Sequence, residues 1–260
     1  RHYKSSCRKL VKQSNRLMSE FFIELFSEEI PAGLQRNSRN VLLENFQNLF
    51  EEKKISFKKS SSFSTPNRLI ILFEGLSKEI TQKAEEIKGP NVNAPDKAVE
   101  GFLRSNQIDK KDLFIKKIEK GEFYFFKKPS NKTNTIDLLQ EYTPLILDKL
   151  QWKKSMIWGN YNLSWARPLK SILAVFGNKS LDFKFHHLIS SNTTFTDKEF
   201  EDKKKIFKTF KSYKDFFNQS GIIIDHVLRK DFIIKKIEKI SSKNNFIVEP
   251  NNKLLDEVTD

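Results

Sequence analysis

The sequence predicts an α+β fold with mixed, largely antiparallel sheets and interleaved helices, arranged in two modules. Three observations indicate this fold: apolar runs of strand length, longer stretches with helical periodicity between them, and turn signals that join neighbouring runs. Of the 260 residues, 38% are hydrophobic, which is enough to build a sizeable core and argues against wholesale disorder. No apolar run approaches the roughly 18 residues that a membrane span requires, so we expect a cytoplasmic protein without membrane contact.

The N-terminal module, residues 18–158, is expected to begin with a strand followed by a long helix. The apolar run Phe21–Phe26 has strand length, and residues 34–52 predict an amphipathic helix because their apolar positions recur every three or four residues. The further predicted elements are strands over Ile55–Phe63 and Leu69–Phe73, a helix over Asp96–Arg104, a hairpin of Leu113–Glu119 and Glu122–Lys127, and a helix over 136–150 that is kinked or restarted at Pro144.

The second module, residues 159–260, repeats the mixture, and we expect it to be incomplete at its C-terminus. Turn residues Gly177-Asn178 separate two apolar runs and predict a hairpin. The predicted elements are paired strands over Leu169–Phe176 and Leu181–Phe185, a solvated segment over Asp197–Lys208, a buried strand over Gly221–Asp225 and a helix over 227–241.

Residues 1–17 differ from the rest because they contain six Lys or Arg residues and no acidic residue. The first methionine, Met18, immediately precedes the first predicted strand. We interpret residues 1–17 as a non-native or upstream extension. The alternative is a transit peptide, since such leaders are basic and contain serine. We expect the fold not to depend on this segment, because like charges without apolar periodicity bury almost nothing.

The net charge of +14 is compatible with a polyanionic partner such as RNA. The chain is also rich in Lys, Asn, Ile and Phe, which AT-rich codons encode, so compositional drift of the genome explains the excess equally well. Charge alone therefore does not decide between nucleic-acid binding and codon bias, and the positions of the basic residues must be considered.

Candidate catalytic groups are few, and a structural role explains each of them well. His186 and His187 are adjacent, so on a strand their rings would point to opposite faces, while Asp225 beside His226 suits a helix cap. Glu28-Glu29 suits the positive end of a helix dipole. No phosphate-binding loop or metalloprotease motif occurs, and the single cysteine permits no internal disulfide. We assign no catalytic residue and no metal ligand to this chain.

Four basic residues are the candidates for RNA phosphate contacts: Arg68, Lys88, Arg167 and Lys170. Both arginines lie close to prolines, in turns whose restricted backbone lowers the entropy cost of presenting a guanidinium. The alternative for the arginines is pairing with local carboxylates. Three tryptophans have two alternative roles: they either stack on unpaired bases or fill core space. They are Trp152, Trp158 and Trp165.

Short blocks of recognisable sequence occur in order along residues 21–259. These are Phe21–Pro31, Thr65–Leu69, Lys88–Pro90, Ala98–Phe102, Met156–Gly159, Ala166–Pro168, Gly221–Asp225 and Leu254–Thr259. As a series they resemble the bacterial glycyl-tRNA synthetase beta subunit. The chain departs from that family at Asn67, where a second basic residue is usual, and after Thr193-Thr194, where a Gly-His-Arg-Phe element is missing.

The resemblance implies an aminoacyl-tRNA synthetase, a glycine–tRNA ligase of two alpha and two beta subunits. In that family the alpha subunit holds the ATP and glycine sites, so ATP with magnesium is used through the partner and no cofactor is expected here. The beta subunit binds glycine tRNA and is required for activity, while this fragment alone is expected to be inactive. The alternatives are a stand-alone basic RNA-binding module without ligase activity, or a structural scaffold whose charge reflects codon bias.

Overall fold

The computed structural model describes residues 18–82, 84–118, 121–128, 130–196 and 204–260, so the extension over residues 1–17 lies outside the described part. The chain forms two compact units: the described residues of Arg1–Lys78 and Asn134–Asp260 form unit 1, and those of Glu79–Thr133 form unit 2. This division differs from the boundary that the sequence predicts between residues 158 and 159. The reason is that strands from both predicted modules pair within one sheet of unit 1.

Helices and strands alternate along the chain, which confirms the α+β fold class. The strands are β1 Met18–Ser27, β2 Lys59–Thr65, β3 Arg68–Ser77, β4 Glu79–Gln82, β5 Glu85–Asn91, β6 Leu113–Ile118, β7 Gly121–Lys128, β8 Asn131–Asn134, β9 Met156–Ile157, β10 Ser164–Trp165, β11 Leu169–Phe176, β12 Lys179–Ser180, β13 Lys184–Phe185, β14 Leu188–Ile189, β15 Thr193–Thr194 and β16 Lys205–Ile206. The helices are α1 Ala32–Glu52, α2 Asp96–Asn106, α3 Thr135–Asp148, α4 Phe210–Gln219, α5 His226–Asn244 and α6 Asn252–Thr259. Within the described ranges, no helix is long and apolar enough to cross a membrane.

A five-stranded antiparallel sheet with the strand order β12-β11-β1-β3-β2 forms the centre of unit 1. In the central strand β1, Ile23 lies opposite Ile71 of β3 on one side and Ala174 of β11 on the other. Successive side chains of a strand point to opposite faces. Because every residue from 21 to 27 is buried, both faces of this sheet must be covered.

Aromatic side chains fill the space on both faces of the sheet. On one face α1 packs through Phe50, whose ring centroid lies 4.7 Å from that of Phe73 on β3. On the other face α4 packs through Tyr213, whose ring lies 5.7 Å from that of Phe22 on β1. The apolar periodicity of residues 34–52 therefore predicts the first of these layers correctly, because its stripe is the surface that meets the sheet.

Two predicted strands of the second module are largely wrong. Gly221–Asp225 contains no strand; it is an irregular segment that buries Ile224 and leads into α5. Of the run Leu181–Phe185, only the last two residues form a strand, β13, and this strand pairs with β14. The amide of Leu181 still donates to the carbonyl of Ala174 in β11 at 2.9 Å, and the amide of Ser191 donates to the carbonyl of Ile172 in the same strand at 2.9 Å. The predicted hairpin turn is confirmed, since β11 pairs with the short β12.

The helix α3 continues through Pro144, so the alternative of a restart at this residue is wrong. Pro144 lacks a donor, but the apolar stripe of Leu139, Ile146 and Leu147 is buried and stabilises the continuous helix. Thr143, the residue before Pro144, is buried inside the helix. Of the predicted solvated segment Asp197–Lys208, residues 197–203 lie outside the described part, while β16 pairs with β15 and Phe207 is buried, so its described end is not purely solvated.

Unit 2 contains a three-stranded antiparallel sheet of order β5-β7-β6, and β4 pairs with β8. The predicted hairpin of β6 and β7 is confirmed, and its turn at residues 119–120 lies outside the described part. Helix α2 packs on β5 at Gly89, where an added Cβ would lie 2.9 Å from the ring of Phe102. The glycine therefore allows the helix to approach the strand closely.

Candidate nucleic-acid interface

Three loops meet at one end of the five-stranded sheet, where β1 ends and where β3 and β11 begin. The amide of Glu28 donates to the carbonyl of Pro168 at 3.0 Å, and the amide of Ile30 donates to the carbonyl of Pro66 at 2.6 Å. These backbone bonds hold the segment after β1 between the β2–β3 turn and the loop before β11. Three sequence blocks that are far apart in the chain therefore form one surface, which carries two of the predicted RNA-binding residues.

Arg68 does not belong to that surface, and the expectation that its guanidinium projects from the turn is wrong. Its side chain is only 3% exposed, and its Nε lies 3.1 Å from Oε2 of Glu24. Another guanidinium nitrogen donates to the carbonyls of Phe195 and Thr196. The guanidinium also lies over the ring of Phe26, 4.5 Å from its centroid. Its donors are used inside the protein, so a phosphate contact would require breaking this arrangement.

Glu24 is the centre of this buried polar cluster, with 0% of its side chain exposed. Besides Arg68, the hydroxyls of Thr194 and Tyr213 donate to its carboxylate. Burial, followed by the negative charge of Glu24, raises the pKa of Tyr213 well above its ordinary value, so the phenol stays a neutral donor. A buried carboxylate is tolerated only when it is paired and hydrogen-bonded, and this cluster provides both.

Arg167 is exposed, and its side chain lines a cleft of about 670 Å³ that we call the Arg167 cleft. Among the described residues, no hydrogen bond or ion pair to Arg167 is present. The adjoining Pro168 accepts the hydrogen bond from Glu28, so the backbone that carries this guanidinium is held at the sheet end. The side chains that line the Arg167 cleft are Glu28, Glu29, Pro31, Trp158, Arg167 and Pro168.

The Arg167 cleft carries charges of both signs, because two acidic residues line it together with the arginine. Lys170 is exposed and forms an ion pair with Glu28, with 2.7 Å between Nζ and Oε1. Glu29 is exposed and lines the same cleft. Glu29 therefore repels an anion in the cleft more strongly than Glu28 does, because the positive charge of Lys170 offsets the negative charge of Glu28.

Lys88 lies in unit 2, on β5, and its side chain is exposed. Its Nζ lies 3.6 Å from the centroid of the Phe123 ring on β7, which is a cation–π geometry. The ammonium group is therefore held against the sheet of unit 2 while it remains open to solvent.

A second, smaller cavity of about 210 Å³ shares Trp158 and Pro168 with the Arg167 cleft, and we call it the Trp158 pocket. The rings of Tyr161 and His187 stack at its wall, with centroids 3.7 Å apart and planes inclined by 10°. The residues lining the Trp158 pocket are Trp158, Gly159, Tyr161, Leu163, Trp165, Pro168, Leu169 and His187.

The three tryptophans have different roles in this region. Trp165 is 2% exposed and packs against Trp152 and Phe185, so it fills core space. Trp158 is half-buried and contributes to the walls of both cavities. Of the alternatives that the sequence leaves open, core packing applies to Trp165, while Trp158 remains a candidate for stacking on a base.

The other candidate groups have structural roles. Asp225 caps α5, because its carboxylate accepts hydrogen bonds from the amides of Val227 and Leu228, as the sequence predicts. Burial lowers the pKa of the neighbouring His226. His186 and His187 lie in the turn between β13 and β14 and not on a strand, and Nε2 of His186 lies 2.9 Å from Oδ1 of Asp148. Within the described ranges, no group of three or more His, Cys, Asp or Glu side chains is placed to bind a metal.

Sequence reasoning missed Tyr161 and His187 as partners in one aromatic wall, and it did not place Glu29 beside Arg167. The signal available for Tyr161 is its position just after the block Met156–Gly159. No local signal identifies His187, because the contact joins residues that lie on separate loops.

Comparison with known proteins agrees with the series of sequence blocks. A family model described as glycyl-tRNA synthetase beta subunit matches residues 21–260. A protein of Rickettsia canadensis named glycine–tRNA ligase beta subunit is 34% identical over 242 residues, which covers 93% of this chain and 36% of that protein. Proteins of the same name from Rickettsia felis and Rickettsia bellii are also 34% identical, over 243 and 241 residues. The chain thus spans about a third of the length of these relatives.

Proposed function

Because the chain belongs to the glycyl-tRNA synthetase beta subunit family, we propose that it serves as part of a cytoplasmic glycine–tRNA ligase of two alpha and two beta subunits. In this role it binds glycine tRNA and the alpha subunit, and supports the ATP-dependent attachment of glycine to that tRNA. ATP and magnesium are used through the alpha subunit, and this chain holds no cofactor of its own.

The observation that supports tRNA binding most directly is the state of Arg167. Its guanidinium is exposed in a cleft and has no ion-pair partner among the described residues. Its backbone is held by the hydrogen bond between Glu28 and Pro168. A planar guanidinium with free donors on a restricted backbone suits bidentate binding of a phosphate. Lys170 and Lys88 are proposed as supporting phosphate contacts. Arg68 is not proposed as a phosphate contact, because its donors form hydrogen bonds inside the protein.

The experiment measures binding of glycine tRNA by the chain at several salt concentrations, for the wild type and for Arg167→Ala. If Arg167 binds one phosphate, the substitution reduces the slope of log affinity against log salt by about one. Arg36→Ala is the matched control, because this arginine of α1 already pairs with Asp256 and does not line the cleft. Equal slopes for all three proteins would remove Arg167 from the RNA surface.

A second arm tests the alpha subunit and separates the ligase from a stand-alone RNA-binding module. The alpha subunit from the same genome is co-expressed with the chain, and the complex is sought by size-exclusion chromatography. We expect the two chains to elute together. RNA binding without any association with the alpha subunit would favour the stand-alone module.

A further inference from the structure

We infer that the Trp158 pocket binds a single unpaired nucleobase of an RNA strand whose adjoining phosphate lies at Arg167. This inference rests on the proposed tRNA binding, and it adds a base-stacking subsite beside the phosphate contact.

The lining of the pocket has the chemistry that a nucleobase requires. Aromatic rings of Trp158, Tyr161 and His187 provide flat apolar surfaces, and Pro168 and Leu169 extend them. Tyr161 is 51% exposed, so its ring is accessible to a ligand. Stacking of bases on aromatic side chains is the usual way in which proteins hold single-stranded RNA.

The size of the pocket limits what it holds. Its volume is about 210 Å³, below the roughly 300–1,000 Å³ of cavities that hold drug-sized ligands. A single planar ring system is therefore the fitting occupant. Bases within a duplex are stacked and paired, so only an unpaired base has its faces free to enter.

The backbone between Trp158 and Tyr161 forms a short turn. Gly159 has a φ of +61°, a left-handed conformation that residues with a side chain rarely adopt. The amide of Tyr161 lies 3.4 Å from the carbonyl of Trp158, which closes the turn. Because Trp158 and Tyr161 are separated by this short turn, their rings line the same pocket.

Trp158 contributes to the pocket through its ring and not through its indole N–H. The Nε1 atom is buried and has no hydrogen-bond acceptor within the described residues, so it is shielded from a ligand in the pocket. The ring itself lines the pocket and offers an apolar surface for stacking.

The position of Arg167 links the pocket to an anion. Trp158 and Pro168 line both the pocket and the Arg167 cleft, so a base in the pocket has the guanidinium close to its sugar–phosphate side. A purely apolar ligand would gain no electrostatic interaction with this guanidinium. The combination of a stacking wall and a neighbouring guanidinium therefore favours a nucleotide unit of RNA.

The test compares two fluorescently labelled RNA hexanucleotides, one of mixed sequence and one in which every base is replaced by an abasic position. Both carry the same phosphates, so their difference reports base contacts alone. The wild-type chain is expected to bind the base-containing strand more tightly. Trp158→Leu and Tyr161→Leu are expected to weaken that binding about 5- to 100-fold, the effect of losing one stacked base, and to leave the abasic strand unaffected.

Two further variants make the result specific. Trp158→Phe keeps a ring and should retain most of the preference for bases, while Phe246→Leu removes an exposed aromatic residue outside the pocket and should retain all of it. Thermal unfolding of each variant shows whether it is folded, and the exposed Tyr161 provides a second variant if Trp158→Leu is unstable.

The outcomes separate this inference from the proposed function. Equal binding of both strands by the wild type, or unchanged binding by both leucine variants, would overturn the stacking subsite. If Arg167→Ala still lowers the salt slope of tRNA binding in that case, the proposed phosphate contact stands without it. A wild-type chain that binds neither tRNA nor hexanucleotide would overturn both.

Discussion

The Nε atom of Arg68 lies 3.1 Å from Oε2 of Glu24, and both side chains are buried in the sheet of unit 1. The pair joins the first residue of β3 to the middle of β1, and Tyr213 of α4 donates to the same carboxylate. The arginine that the sequence presents as an RNA ligand is therefore a link between the sheet and the helix that covers it.

We predict that Arg68→Ala lowers the free energy of unfolding by about 3–5 kcal/mol, because it leaves the buried carboxylate of Glu24 without its counter-charge. Urea unfolding followed by circular dichroism measures this loss. Arg167→Ala, which removes an exposed arginine, should change stability by no more than about 0.5 kcal/mol. A stable Arg68→Ala protein with a reduced salt slope for tRNA would restore Arg68 as an RNA ligand.

Tyr213→Phe is predicted to change how stability depends on pH. The pKa of the phenol is about 10 in an unfolded chain, and burial raises it in the folded protein. Above pH about 10 the unfolded chain therefore releases this proton while the folded chain keeps it, so the free energy of unfolding falls as pH rises, by up to about 1.4 kcal/mol per pH unit.

Unfolding free energies of the wild type and Tyr213→Phe, measured from about pH 9 to 11, reveal this contribution as a difference in slope. The lysines and the other tyrosines titrate in both proteins, so their contributions to the pH dependence cancel in the comparison. Parallel curves would show that the phenol of Tyr213 does not keep its proton as the structure indicates. At neutral pH the variant should also lose about 1–3 kcal/mol, since Glu24 loses a donor.

Glu29→Gln is predicted to tighten tRNA binding about two- to fivefold at low salt, because it removes an exposed negative charge from the cleft that holds Arg167. The gain should shrink as salt screens the charges. Glu44→Gln, at an exposed position of α1 outside the cleft, is the control. Weaker binding after Glu29→Gln would mean that the cleft does not hold a phosphate.

The isolated chain is predicted not to activate glycine. Its sequence lacks a phosphate-binding loop, and no metal-binding acidic group is placed among the described residues. The measurement is glycine-dependent exchange of labelled pyrophosphate into ATP, with the alpha–beta complex as the positive control. Exchange by the pure chain would contradict the assignment of ATP and glycine to the partner subunit.

Prediction from the sequence succeeded where local patterns decide the structure. The stripe of α1, the cap at Asp225 and the hairpin of β6 and β7 follow from periodicity and turn chemistry within short segments. It failed at Gly221–Asp225, because an apolar run becomes a strand only if a partner strand is available to pair with it. The same limit applies to the site, since no local pattern shows that Tyr161 stacks on His187.

The sequence by itself determined the fold class and the family, through the period of its apolar residues and the order of its blocks. Only the tertiary structure decided which basic residues are available to a ligand. Arg68 lies two residues after Pro66 and Arg167 directly precedes Pro168, yet Arg68 pairs with Glu24, 44 residues away, while Arg167 lines a cleft. The physical reason is that burial and ion pairing depend on strands that pair across long stretches of chain, whereas helix and turn patterns depend on neighbouring residues.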